Sequence, residues 1–201
     1  MDVKIKSVLI GIFVGWLLSQ ATDVIKNRYE RKRKIKAIYT ELADLSKWLD
    51  RMLLTTKMTM QLALLKSIVT NVPPKLHKFL LDEYFHEICV YLPREARIGI
   101  TDCYGHIDVI NTLITQVEVI LDDPTKISNK ELIMKSEAIY VNAAEAKFKI
   151  DFLIKNKSGD FELLKGVASE LSGNITKELL SIRDEALNST AEELNAKYYK
   201  E

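Results

Sequence analysis

Apolar residues recur along most of this chain at alternating intervals of three and four. Ile35, Ile38, Leu42, Leu45, Leu49 and Met52 set the pattern, and Ile100, Cys103, Ile107, Ile110, Ile114, Val117 and Leu121 repeat it. Leu132, Ser136, Ile139, Ala143, Ala146, Ile150 and Leu153 follow the same rule with smaller side chains. Leu164, Ala168, Leu171, Ile175, Leu179, Ile182 and Ala186 keep it less strictly. Such spacing gathers the apolar groups on one stripe of an α-helix and is the seam of left-handed helix packing.

Breaks between these stretches are short. Asn71-Val72-Pro73-Pro74 is expected to end the first helical segment, because proline lacks an amide donor and pushes its predecessor out of the α region. A shorter helix is expected over residues 76–91. Pro93 suits the first turn of the next, and Asp122-Asp123-Pro124 closes it. Ser128-Asn129-Lys130-Glu131 has capping-box spacing, Lys157-Ser158-Gly159-Asp160 marks the following stop, and Asp160 can cap the last long helix. Thr190 and Glu193 repeat the capping-box spacing near the end, where Tyr198 and Tyr199 either dock or stay mobile. Short connections between long helices make neighbours antiparallel.

The start of the chain is different. Residues 7–22 carry no formal charge. Extended to residues 3–25, with Lys4 and Lys6 snorkelling outward, a helix would cover about 35 Å against roughly 30 Å of hydrocarbon. The expected fold is therefore all-α. A single transmembrane helix precedes an up-and-down antiparallel bundle of four or five long helices. The expected divisions are a short extracytoplasmic N-terminus at 1–4, the span at 5–23, a basic juxtamembrane helix at 24–36, the bundle at 37–188 and a tail at 189–201. No glycine or proline lies between Val24 and Thr70, so nothing local forces a hinge between membrane helix and bundle.

Two other readings of the apolar run compete. Ser19-Gln20-Ala21 is a passable cleavage site for a signal peptide, and a stretch near sixteen uncharged residues also suits a buried core helix. The charges that follow argue against export. Lys26, Arg28, Arg31, Lys32, Arg33, Lys34 and Lys36 stand with one acid, Glu30, in eleven residues. Such a cluster marks the cytoplasmic side, which places the N-terminus outside and the bundle in the cytoplasm beneath the inner membrane. The same seven residues are the expected contacts with anionic lipid. Ser7, Gly11, Gly15 and Ser19 recur every fourth residue within the span. In lipid, close backbone approach over small residues drives helix association, so these four are the expected contacts with a second copy or a partner membrane protein.

Composition narrows the function. The chain is 47% apolar and 28% charged, with seven glycines, four prolines and two cysteines in 201 residues, which excludes disordered, collagen-like and disulfide-framework proteins. Net charge is +1; residues 1–22 carry +1 and residues 23–36 carry +5, so the remainder carries −5. With no second basic patch, nucleic acid is not an expected partner.

The candidate chemistry is thin. His86-x-x-Cys89 and Cys103-x-x-His106 resemble a zinc pair on paper, but helix rise separates the two cysteines by about 10 Å. Glu83-x-x-His86 has di-iron spacing, yet a second copy is absent. No phosphate-binding loop, dinucleotide fingerprint or nucleophile elbow occurs, and acids such as Glu41, Asp44 and Asp50 read as solvated helix surface. Neither enzyme activity nor a cofactor or metal is expected. The expectation is a membrane-anchored scaffold or interaction protein, an accessory or signalling subunit with an unidentified cytoplasmic protein partner. The alternatives are a membrane-active effector of phage-defence or toxin type, and an enzyme with an unrecognised site.

Overall fold

The computed structural model describes residues 3–67, 72–122, 128–156 and 162–198, with side chains from Leu9 and, in the last stretch, from Glu170. Among the described residues the regular secondary structure is all helical, without strands. They form α1 (Val3–Leu64), α2 (Phe79–Ile88), a single 3₁₀ turn (Cys89–Tyr91), α3 (Arg94–Asp122), α4 (Asn129–Lys155), α5 (Glu162–Leu187) and α6 (Ala191–Tyr198).

α1 is one uninterrupted helix of 62 residues, about 93 Å long. Its two halves meet different surroundings. Every described side chain from residue 9 to residue 30 is exposed. From Ile35 onward α1 buries the predicted seam: Ile38, Leu42 and Leu49 are fully covered, and Leu45 and Met52 nearly so. The reading of the apolar run as a core helix finds no support, because no described residue covers it. One N-terminal helix is long and apolar enough to cross a membrane.

α4 lies against both α1 and α3. Ser46 on α1 meets Asp151 on α4, and pairs further along, such as Asp50 with Lys147, show the two running antiparallel. Asp102 with Lys149, and His106 with Asn142, establish the same sense for α3 and α4. Two neighbours at once explain the small side chains of the α4 stripe: Ser136, Ala143 and Ala146 are buried and admit close backbone approach. The main core joins this stripe to Ile100, Cys103, Ile107, Ile110 and Ile114 on α3 and to Leu81 and Ile88 on α2. Full burial of each such aliphatic side chain contributes about 1.5–3 kcal/mol. In α5, Ile175, Ile182 and Ala186 are buried as the spacing predicts, while the side chains of Leu164 and Ala168 lie outside the described residues.

Several boundaries differ from expectation. α1 stops at Leu64, ahead of the prolines. Ser67 N–H donates to Leu62 O (2.9 Å) and Lys66 N–H to Ala63 O (3.1 Å), the bond pair of a Schellman cap, with Lys66 in the left-handed region at φ 53°. The stop is thus made by a cap that carries lysine where glycine is usual. The second helix is shorter than 76–91, because residues 72–78 carry no regular structure, with Lys75, Leu76 and Lys78 bound to α3, and its last turn tightens to 3₁₀. Ser128 caps α4 by accepting from Glu131 N–H (3.3 Å), and Asp122 ends α3. The expected stop at 157–160, with its Asp160 cap, lies outside the described residues. Thr190 and Glu193 make both halves of their capping box, and α6 docks, with Leu194 buried.

Holding a side chain in the left-handed region costs about 1 kcal/mol. Lys66→Gly is expected to stabilise the protein by about that amount, read as a higher unfolding midpoint in chemical denaturation.

Candidate functional site

The N-terminal stretch of α1 divides into an exposed part and a clamped part. Gly11 and Gly15 stand on an open face, where an added Cβ would meet nothing within 4 Å. Ser19 is exposed on the same stripe, and the side chain of Ser7 lies outside the described residues. Thr22 returns its hydroxyl to Leu18 O (2.8 Å), so this polar group is satisfied within the helix. Among the seven basic residues, Lys26, Arg28, Lys32, Arg33 and Lys36 are exposed.

Arg31 and Lys34 are engaged elsewhere. The Arg31 guanidinium sits 3.5 Å from the centroid of the Tyr91 ring, and Lys34 pairs with Glu87 while lying 5.5 Å from the Tyr84 ring. That pairing raises the Lys34 pKa and lowers that of Glu87. Both cations hold α2 and the 3₁₀ turn against α1 instead of facing outward. Arg31 falls one turn ahead of Ile35 on the seam, but spacing alone does not turn a charged residue inward.

Beneath this joint Glu41 performs work that its sequence context does not reveal. The N-cap of α2, Lys78, makes no side-chain cap. Glu41 supplies it from α1, accepting from Leu80 N–H (2.8 Å) and Leu81 N–H (2.9 Å), and Tyr104 donates its hydroxyl to the same carboxylate (3.2 Å). A carboxylate at a helix N-terminus satisfies orphan amides and faces the positive end of the helix dipole. Glu41 is therefore a tertiary cap, not solvated surface. Asp44 and Asp50 fit the surface reading, pairing with Lys47 (3.6 Å) and Lys147 (3.4 Å).

The segment before α2 is fixed from the other side. Asn111 on α3 accepts from Leu76 N–H and donates to Leu76 O, both at 2.8 Å, and Lys75 and Lys78 pair with Glu118 and Asp108. Between this segment and α1 lies a cleft of about 590 Å³, with Trp48, His77 and Phe79 among its walls.

The environments of Ser46 with Lys147 and of Cys103 oppose nucleophilic activation. Ser46 donates to Asp151 (2.5 Å) and lies 3.4 Å from Lys147, which superficially resembles a serine–lysine dyad. Partial burial pulls the Lys147 pKa down, but Asp151 and Asp50 outweigh it and hold the ammonium above its ordinary value. A protonated lysine cannot serve as the base. Cys103 is fully buried in the α3 seam, and that burial pushes its thiol up to about 12. His106 turns to α4, where Asn142 Oδ1 lies at 3.0 Å and Lys149 Nζ at 2.7 Å. His86 and Glu83 are exposed, and Cys89 bonds back to His86 O. The His–Cys pairs do not converge, and among the described residues no group of three or more His, Cys, Asp and Glu is placed to hold a metal ion.

The far end of α1 carries a polar hub. Gln61 is fully buried, donates to Glu185 (2.9 Å) and accepts from the Tyr198 hydroxyl (2.7 Å). Glu185 also pairs with Lys197 of α6 and with Lys57 of α1 (2.9 Å). Those two ammoniums hold its carboxyl at about 2.

No known protein family, curated protein or solved structure matches this chain.

Two consequences can be measured. Glu41→Ala removes both acceptors at the start of α2 and is expected to cost about 1–2 kcal/mol, with hydrogen exchange accelerated first at the Leu80 and Leu81 amides. Glu185, whose folded pKa is depressed, contributes stability that is complete above the unfolded carboxyl pKa near 4.5 and is lost as pH falls toward 2. Proteolysis of α6 is therefore expected to accelerate across that window, and Glu185→Gln is expected to flatten the dependence.

Proposed function

We propose that this chain is a single-pass membrane-anchored scaffold or interaction protein, an accessory or signalling subunit of a membrane-associated complex. In this reading residues 5–23 cross the inner membrane with the N-terminus outside. The long helices form an up-and-down antiparallel bundle in the cytoplasm, where it presents its surface to a protein partner. The observation that carries the reading is the exposure of Leu9, Ile10, Ile12, Phe13, Trp16 and Leu18, all 49–66% accessible, on a helix that continues into the folded core. Contiguous apolar surface of this extent needs a non-aqueous partner, and a span satisfies its own backbone hydrogen bonds.

Polarity supports the orientation. The exposed cations Lys26, Arg28, Lys32 and Arg33 follow the apolar stretch directly, where they retain that end on the cytoplasmic side and meet anionic headgroups. The open face over Gly11 and Gly15 supports association with a second copy or a partner span, since close backbone approach there meets no obstruction from the chain itself. Because α1 is unbroken, rotation or separation of associated spans would be carried straight to the buried seam. A tether suits this arrangement better than a bilayer-disrupting effector: the single span has no polar stripe beyond its small residues.

The test is fractionation with protease protection. Intact protein is expected in the membrane pellet after alkaline extraction, with the bundle protected in spheroplasts and digested in inverted vesicles; recovery in the supernatant would refute the anchor. Gly11→Ile with Gly15→Ile is expected to abolish the signal of a membrane-helix association reporter. Absence of depolarisation at high expression would separate tether from effector.

A further inference from the structure

The 3₁₀ turn that joins α2 to α3 is the part of the folded domain in contact with the earliest engaged residues of α1. Asn27, Arg31 and Tyr91 share one small surface cavity, and the Arg31 guanidinium covers the Tyr91 ring. Along α1, Asn27 lies about 6 Å and Arg31 about 12 Å beyond Asp23, the first charge after the apolar run. A bilayer of 40–45 Å with a 30 Å hydrocarbon core leaves a headgroup layer of roughly 5–8 Å on each side. The turn is therefore level with the outer headgroups or just beyond them.

What the turn presents at that level is apolar and aromatic. Val90 is 66% exposed and Tyr91 51% exposed, while Leu92 is buried beneath them and its N–H closes the turn on Cys89 O (3.2 Å). A single exposed apolar side chain needs no explanation. Two adjacent ones on a hydrogen-bonded turn, packed beside cations of α1, match the composition of an interfacial anchor, in which tyrosine sits among headgroups and arginine snorkels.

We propose that Val90 and Tyr91 form a second membrane contact, inserting into the headgroup layer of the leaflet from which α1 emerges. The proposal rests on the anchored reading of α1. Its occupant is lipid, drawn to the turn by Lys26, Arg28, Lys32 and Arg33. Two attachment points, one on α1 and one on the turn, would fix the rotation of the domain about α1, which a lone span leaves free.

Depth measurement in the full chain tests this. Val90→Cys in a Cys89→Ser background carries an environment-sensitive fluorophore, Cys103 being buried, and Tyr91→Cys serves as the second position. Met134→Cys is the control: Met134 is 59% exposed and shares a cavity with Leu64 at the far end of α1, about 60 Å from Asp23. The labelled proteins are placed in nanodiscs of phosphatidylcholine and phosphatidylglycerol. At positions 90 and 91, a headgroup nitroxide lipid is expected to reduce emission about twofold while aqueous iodide quenches weakly; position 134 is expected to show the reverse. Quenching at 90 and 91 by iodide alone, in protein that co-elutes with nanodiscs, would overturn the proposal and leave the anchor standing. Shielding from both quenchers would place a protein there, a second copy or a partner, and overturn it too. Failure to co-elute with nanodiscs would remove the anchored reading and this inference with it.

Discussion

The unbroken hydrogen-bond ladder of α1 is the constraint on which the rest of the molecule depends. One helix of 62 residues serves two environments, and nothing in its backbone marks the change. The change is made by side chains alone: exposed through residue 30, engaged from Arg31 and buried from Ile38. A glycine or proline at that junction would have allowed the domain to swing. In their absence the orientation of the apolar half is tied to the packing of the buried half.

Packing around that rod is set by apolar seams and made specific by a few polar contacts. Aliphatic stripes bind helices with little preference for register, since neighbouring rows of Leu and Ile are nearly equivalent. The Asn111 clamp on the Leu76 backbone, the Glu41 cap on α2 and the Gln61 hub at α6 each require one alignment, because a slip of one turn would leave a buried donor or acceptor unpaired. Thr56 is the counterexample: its buried hydroxyl has no partner among the described residues, and nothing in the structure explains it.

The basic end of the folded part shows the same economy. Arg31 and Lys34 belong to the basic run by composition, yet both are spent on holding the 3₁₀ turn and α2 to α1. Their neighbours Lys26, Arg28, Lys32, Arg33 and Lys36 remain exposed. Two contacts of this kind on a partly exposed helix contribute little energy each, so their weight lies in where they hold the turn.

Much of the fold was legible in the sequence. The three-four spacing located the buried stripe of α4 residue by residue and that of α3 from Ile100 to Val117, with Leu121 only partly covered, and the capping boxes at Ser128 and Thr190 stand where the spacing put them. Periodicity, proline and capping act within four residues, so a single stretch of chain decides them. The end of α1 at Leu64, the cap on α2 and the division of the basic run could not be read this way. Lys66 takes a conformation usually left to glycine, Glu41 reaches amides 39 and 40 residues away, and Lys34 meets an acid 53 residues on. The sequence by itself determined that the chain is helical, where its long helices bury their faces, and that one uncharged apolar stretch stands near its start. Which charged residues face outward and which turn inward was decided only by tertiary structure, because the partner of a long polar side chain is chosen by what folding brings within about 3 Å of it.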